Sequence, residues 1–306
     1  MQIIEYPNSG ICLSGTAIAL GFFDGVHIGH RKLIERTVSE AKSRGLKSAI
    51  FTFRTESSGL KSHAERLYPT EDKLEILGSF DVDHVILADF SALASQSPES
   101  FVNEHLVGRL GCSLALAGYN FRFGKGAAGD ATTLTRLMSE AGGEALILPE
   151  ERFEGGVLST TEIRRALSVG DCERASAMLG SPYHVRAVVE HGLGIGHSFG
   201  FPTLNTRKEN GIPLPRGVYA TVVKIDGKLY TGVTNLGVCP TFEERAEHFE
   251  TMLLGFDERI YGKTVYIYFV SYLRPERPFP SPTELKAQID RDAARAVTLT
   301  ENYLRR

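Results

Sequence analysis

Apolar positions in the first half of the chain alternate between two periods. Thr16-Ala17-Ile18-Ala19-Leu20 is a short unbroken apolar run, the mark of a buried strand. Leu33, Ile34, Val38 and Ala41 then recur at helical spacing up to Gly45, which reads as a C-terminal cap, and residues 48–53 return to a strand. The alternation continues with Thr70 as an N-cap and Leu74 and Leu77 inward, then Val85-Ile86-Leu87 as a strand. Ser97-Pro98 opens a helix whose apolar face is Phe101, Val102, Leu106 and Leu110, and residues 114–117 form another strand. Strand and helix in turn predict an α/β domain with a parallel sheet.

After a helix-like stretch from Asp171 to Gly180, the pattern changes. Residues 185–189, 218–225, 229–233, 252–256 and 265–270 read as strands, with Asp226-Gly227 as a two-residue hairpin turn. Short turns without helical crossovers predict a small antiparallel β-barrel or sandwich. A capping box, Ser281-Pro282-Thr283-Glu284, starts a last helix with Leu285, Ile289, Ala293, Ala296 and Tyr303 toward the barrel. The break at Gly180-Ser181-Pro182 gives two domains, residues 1–181 and 182–306.

Bulk properties narrow the class. The chain has 306 residues, 42% hydrophobic and 23% charged, as in soluble globular proteins. A net charge of −3 offers no electrostatic case for nucleic acid or an anionic membrane. The four cysteines (Cys12, Cys112, Cys172, Cys239) are far apart, which disfavours structural zinc or a disulfide framework and fits a reducing cytosol. Neither a signal peptide nor an apolar run of transmembrane length is apparent.

The chemistry concentrates in Gly21-Phe22-Phe23-Asp24-Gly25-Val26-His27-Ile28-Gly29-His30, the turn of a β-α-β unit. Gly21 and Gly25 allow close backbone approach, and the next helix offers unpaired N–H groups for an anion. His27 and His30, three apart, share one face and can donate to phosphate oxygens as charge builds at phosphorus. The pattern is neither the Rossmann glycine fingerprint nor a P-loop. Gly118-Tyr119-Asn120-Phe121-Arg122-Phe123-Gly124-Lys125 again follows a strand. In 158–165, Ser159 and Glu162 form a capping box, while Ser159, Thr160 and Arg164 at one helix start suit a triphosphate. In Gly200-Phe201-Pro202-Thr203-Leu204-Asn205, the Thr203 hydroxyl and Asn205 amide point to one side of an extended segment and suit magnesium. Gly196-His197-Ser198-Phe199-Gly200 matches a hydrolase elbow, but its glycine and proline flanks deny it a following helix.

The decad 21–30 resembles the His-x-Gly-His signature of nucleotidyltransferases, in the form found in bacterial FAD synthetases. The segments around Asn120 and Ser159 resemble that family's nucleotide-binding motifs. Gly-Phe-Pro-Thr-Leu-Asn resembles the riboflavin kinase motif, supported by 215–220, 232–242, Glu250-Thr251-Met252-Leu253-Leu254 and Leu273-Arg274-Pro275-Glu276. The resemblance covers nearly the whole chain and implies a Rossmann-like nucleotidyltransferase domain followed by a riboflavin kinase barrel. It implies two reactions, phosphorylation of riboflavin to FMN by ATP and adenylylation of FMN to FAD with release of pyrophosphate. It casts His27, His30 and Glu250 as catalytic, the last as base on the riboflavin 5′-hydroxyl. Thr203 and Asn205 would hold Mg2+. Gly21, Phe22, Asp24, Gly25, Asn120, Phe121, Ser159, Thr160, Arg164, Gly194, Pro202, Arg274 and Glu276 would bind nucleotide or flavin. The chain departs from the family at His197, Met252 and Gly255, where Arg, His and Asp are usual. An FMN adenylyltransferase with a silent or regulatory barrel is therefore the alternative, and a cytidylyltransferase acting on another phosphorylated substrate is the second.

Overall fold

The structure, a computed structural model, describes residues 1–7, 10, 12–56, 66–190, 203–208, 213–238, 247–256 and 258–305. Its packing divides the chain into two compact units, Met1–Thr160 and Thr161–Arg306.

The first unit is built on a six-stranded parallel sheet. Its strands are β1 (Gln2–Tyr6), β2 (Thr16–Leu20), β3 (Lys47–Phe53), β4 (His84–Ala88), β5 (Cys112–Gly118) and β6 (Glu144–Leu148), in the order β1-β4-β3-β2-β5-β6. β2 is buried along its whole length because both faces of a parallel sheet are covered. On one face α1 (Ile28–Arg44) packs Leu33, Ile34 and Ala41 against it, and Gly45 closes that helix in the left-handed conformation (φ 67°). On the other, Phe101, Val102, Leu106 and Leu110 join Leu134, Leu137 and Met138 of α5 (Ala131–Glu140).

Two local expectations differ from what is found. Thr70 is the first residue of α2 (Thr70–Gly78), and Pro69 holds the cap position. The Thr70 hydroxyl is occupied elsewhere, donating to Glu56 and accepting from Thr55 N (2.9 Å). After the short α3 (Phe90–Leu93), Ser97 does cap α4 (Pro98–Ser100), but residues Phe101–Arg109 continue as a π-helix that keeps the predicted apolar face inward.

A short hairpin, β7 (Arg152–Phe153) and β8 (Gly156–Val157), lies near the end of the first unit. The second begins within the first turn of α6 (Thr160–Ser168) and continues with α7 (Cys172–Leu179), the latter capped by Asp171 and ended by Gly180 as its sequence predicts. A six-stranded antiparallel sheet follows, in the order β10-β13-β12-β11-β14-β9. The strands are β9 (Tyr183–Val188), β10 (Thr203–Arg207), β11 (Gly217–Ile225), β12 (Lys228–Val238), β13 (Glu247–Leu253) and β14 (Thr264–Arg274). A bridge between Glu190 and Asn205 links its two edges, curling the sheet into a barrel. Asp226 and Gly227 both take positive φ, as a tight hairpin between right-twisted strands requires. The strand expected at 252–256 lies earlier, because the chain turns at Gly255 (φ 70°) and the residues that pair with β10 and β12 are Glu247–Leu253. Inside the barrel Thr221, Thr234 and Thr251 satisfy one another's hydroxyls at 2.9 Å. Outside, α8 (Pro282–Leu304) lays Ile289, Ala293 and Ala296 against Val218, Ala220, Val233 and Met252. Tyr303, also expected on that face, is half-buried.

Candidate active sites

In the first unit, β3 and β5 pair on opposite sides of β2, so the sheet order reverses at its carboxyl end. That crevice is where open α/β sheets bind ligands. Leu20 pairs with Ala117, which sets Gly21 beside Gly118 and brings the predicted segments 21–30 and 118–125 to one edge. The turn is strained. Phe23 and Val26 adopt φ of 53° and 41°, conformations that L-residues rarely take and that a β-branched valine takes least readily.

Several groups hold the strained turn in place. Thr52 Oγ1 donates to Phe22 O (2.8 Å), Arg31 Nε to Val26 O (3.1 Å) and Thr160 Oγ1 to Asp24 O (3.3 Å). Asp24, expected to touch ligand, is buried, and its Oδ1 accepts from Leu67 N (3.0 Å). The Phe22 ring lies under the Arg66 guanidinium, 4.0 Å from its centroid. Asn120 is exposed at the end of β5, and Phe121 stacks on Phe123 (5.5 Å). Ser159 and Arg164 are half-buried at the start of α6.

His27 stands at the cap of α1, where its Nδ1 accepts from His30 N (3.3 Å). That bond leaves Nε2 to carry the proton of the neutral ring and to donate it. The two imidazoles stack at 3.7 Å with 15° between planes, and Phe23 meets His30 edge-on at 5.2 Å. Gly29 permits this, since a Cβ there would press the His27 ring at 3.3 Å. Burial pushes His27 down to about 4 and His30 well below its ordinary value, the latter also opposed by His27 and Lys73. Without ligand, both rings are therefore neutral donors at pH 7 and do not carry positive charge.

This has a consequence for stability. The unfolded chain protonates His27 as pH falls through about 6.5, the folded protein only near 4. Between those values the unfolded state binds more protons, so stability present above pH 6.5 is lost as pH drops toward 4. The gap amounts to about 3 kcal/mol. Urea unfolding followed at pH 7, 5.5 and 4.5 should record that decline, and His27→Gln should make it shallower, leaving the part that His30 contributes. The same slope in both proteins would remove His27 as its source.

Lys73 was not evident as a site residue. It is 1% exposed, and its ammonium donates to Phe53 O (2.5 Å), Thr52 Oγ1 (3.3 Å) and Phe22 O (3.4 Å). One cation thus ties α2 to the ends of β2 and β3. Burial brings it down to about 8, opposed by the charges of Asp24 and Glu56. Its signal in the sequence was a lysine four residues before Leu77, on the inward face of α2. Lys73→Met is expected to lower adenylyl transfer tenfold or more by loosening the turn, since misplacement of about 1 Å can cost a hundredfold. Phosphorylation of riboflavin by the same sample is the control, and unchanged adenylyl transfer would deny Lys73 this role.

In the second unit the register draws a line of side chains across five strands. Asn205 pairs with Glu250, Glu250 with Asn235, Asn235 with Val218, and Val218 with Arg274. Directly paired residues project to the same face of a sheet. Thr203, two residues before Asn205, donates from Oγ1 to Glu250 Oε1 (3.2 Å). Beside this line lies a cavity of about 370 Å3 lined by Thr203, Asn235, Glu250, Arg274, Glu276 and Asp292, with Met252, Phe279 and Leu285 as apolar walls.

Arg274 is anchored by Asp292 of α8, Nε to Oδ2 at 2.9 Å, with Gln288 donating to the other carboxylate oxygen (2.9 Å). Asp292 is 1% exposed. Removing one partner of so buried a pair typically costs about 3–5 kcal/mol. An acid between Ile289 and Ala296 on the inward stripe was its only trace in the sequence. Gly194, Pro202 and His197 lie outside the described residues.

Among the described residues no three His, Cys, Asp or Glu side chains cluster to hold a metal. Thr203, Asn205 and Glu250 nonetheless offer two neutral oxygens and one carboxylate on one face, which suits an ion that retains water and phosphate ligands. No helix among the described residues is long and apolar enough to cross a membrane.

Comparison with known proteins gives a family for each part of the chain. Residues 11–162 match the family model for FAD synthetase and residues 179–300 that for riboflavin kinase. The bifunctional riboflavin kinase/FMN adenylyltransferase of Bacillus subtilis is 34% identical, over 94% of this chain and 93% of its own. That of Listeria monocytogenes is 33% identical, over 90% of this chain and 89% of its own. A solved structure from Streptococcus pneumoniae, described as a macrolide-efflux protein, superposes with a TM-score of 0.85 at 26% identity, covering 96% of this chain and 98% of its own. With a stacked histidine pair at the sheet's switch point, a threonine–glutamate contact beside the barrel cavity, and relatives matched over nearly their full length, the chain belongs to the bifunctional riboflavin kinase/FMN adenylyltransferase family.

Proposed function

We propose that the two activities are divided along the chain, adenylyl transfer over residues 1–181 and riboflavin phosphorylation over 182–306. The observation that carries this is one complete constellation in each part: the neutral, stacked His27–His30 pair, and Glu250 in contact with Thr203 beside the cavity. The matched segments, 11–162 and 179–300, follow the same order along the chain, the second beginning three residues before position 182.

In the first reaction, a phosphate oxygen of FMN attacks the α-phosphorus of ATP and pyrophosphate leaves. His27 and His30 donate hydrogen bonds to oxygens that gain charge in the transition state. Asn120, Ser159, Thr160 and Arg164 hold the nucleotide phosphates. FMN attacks as an anion and needs no general base. In the second, the riboflavin 5′-hydroxyl attacks the γ-phosphorus of ATP, Glu250 takes the hydroxyl proton, and ADP leaves. Magnesium bound with ATP would screen phosphate charge, held by Thr203 and Asn205. Arg274 and Glu276 line the flavin side. Both reactions draw on cytosolic ATP, and the cytosol is the proposed location.

Chromatography of products from magnesium, ATP and either riboflavin or FMN tests the reading. FAD is expected from both, with FMN as an intermediate from riboflavin. FAD from FMN alone would mean that the barrel has no kinase activity. Product only with CTP would overturn the nucleotide assignment.

A further inference from the structure

Asn235 lines the cavity between the barrel and α8, and the reading above leaves it without a task. Asn235, in the middle of β12, donates from Nδ2 to Glu276 Oε1 (3.0 Å). Glu276 is itself pressed on Gly237, where a Cβ would come within 2.2 Å of its Oε1, so any larger residue would displace it. Donation to a carboxylate fixes which way the amide faces. Oδ1 therefore points away from Glu276, and it is buried without a hydrogen-bond partner among the described residues. Buried acceptors in folded proteins are almost always satisfied, and an exception on a residue that lines a cavity marks a place for a ligand donor.

Position narrows what that donor is. Glu250 stands between Asn205 on β10 and Asn235 on β12 in the paired line. Thr203 and Asn205, the magnesium side, occupy one flank of the carboxylate, and Asn235 occupies the other. The hydroxyl that reacts must lie within hydrogen-bond reach of Glu250. A donor reaching Asn235 Oδ1 then belongs to the acceptor substrate, one step along from the reacting oxygen, because paired side chains start about 5 Å apart. In a flavin with a polyol side chain, that group is a neighbouring hydroxyl.

We propose that Asn235 is a specificity residue of the kinase site, its Oδ1 accepting from the side-chain hydroxyl next to the one that is phosphorylated, with Glu276 orienting the amide. The inference rests on the assignment of Glu250 as the base. Asn235 selects polyol flavins over flavins that lack the neighbouring hydroxyl.

The test compares riboflavin with 4′-deoxyriboflavin in the full chain and its Asn235→Ala variant. The parent is expected to prefer riboflavin about tenfold or more in kcat/KM, since the analogue leaves a buried acceptor unpaired. In Asn235→Ala the ratio should fall toward one, mainly through loss of activity on riboflavin. Glu276→Gln, which still accepts from the amide, should retain the parental ratio. Adenylylation of FMN by the same preparations reports on folding. Flavin fluorescence quenching measures the same ratio as Kd without turnover. If Glu250 is not the base, the Kd ratio still falls in Asn235→Ala, which separates the two assignments. Equal loss on both flavins in the variant, or no preference in the parent, would overturn the proposal.

Discussion

Replacing His30 by alanine is expected to lower FAD formation from FMN by about a hundredfold to a thousandfold, the cost of removing one preorganised donor from a developing oxyanion. FMN formation from riboflavin should continue at the parental rate. The expectation follows from the way the ring is held. His30 is stacked on His27, met edge-on by Phe23, and its Nδ1 is buried with no partner among the described residues. The backbone N–H that caps onto His27 survives the substitution, so His27 keeps its tautomer and the loss reports on His30. Because desolvation keeps both rings neutral, their contribution is hydrogen bonding with little reorganisation. His30→Asn, which retains a donor, should recover part of the rate. Equal decline of both activities would show a folding defect and remove the assignment.

Glu250→Gln is expected to produce the reverse pattern. FMN formation should fall about a hundredfold or more, in the range of a lost general base, while adenylylation of supplied FMN is unchanged. Glutamine keeps the length of the side chain and can still accept from Thr203, so the line of paired residues persists. The effect should therefore appear in kcat with little change in the KM for either substrate. Thr203→Ala is the contrasting variant, because a lost magnesium contact should raise the KM for Mg-ATP. A Glu250→Gln enzyme with more than a tenth of the parental kinase rate would mean that alignment alone drives this step.

Much of this architecture is written locally. The apolar run 16–20, the helical period ending at Gly45, the Asp226-Gly227 hairpin and the capping box at Ser281 depend on neighbours a few residues away. The histidine pair was legible for the same reason, since a spacing of three brings two rings together wherever a helix starts.

Tertiary structure decided the rest. Thr70 looked like a cap because nothing in the sequence shows that Thr55 and Glu56 occupy its hydroxyl. The strand at Glu247–Leu253 was displaced from the most apolar stretch because its bounds follow its pairing partners, β10 and β12, rather than apolarity. Lys73 and Asp292 act through burial among residues distant in sequence. The alignment of Asn205, Glu250, Asn235 and Arg274 arises from the register of strands that composition cannot set. The sequence by itself determined which chemical groups the chain carries and the order in which its elements follow one another. Their protonation, their partners and the face they share were decided by desolvation and strand register, which depend on long-range contacts that exist only in the folded chain.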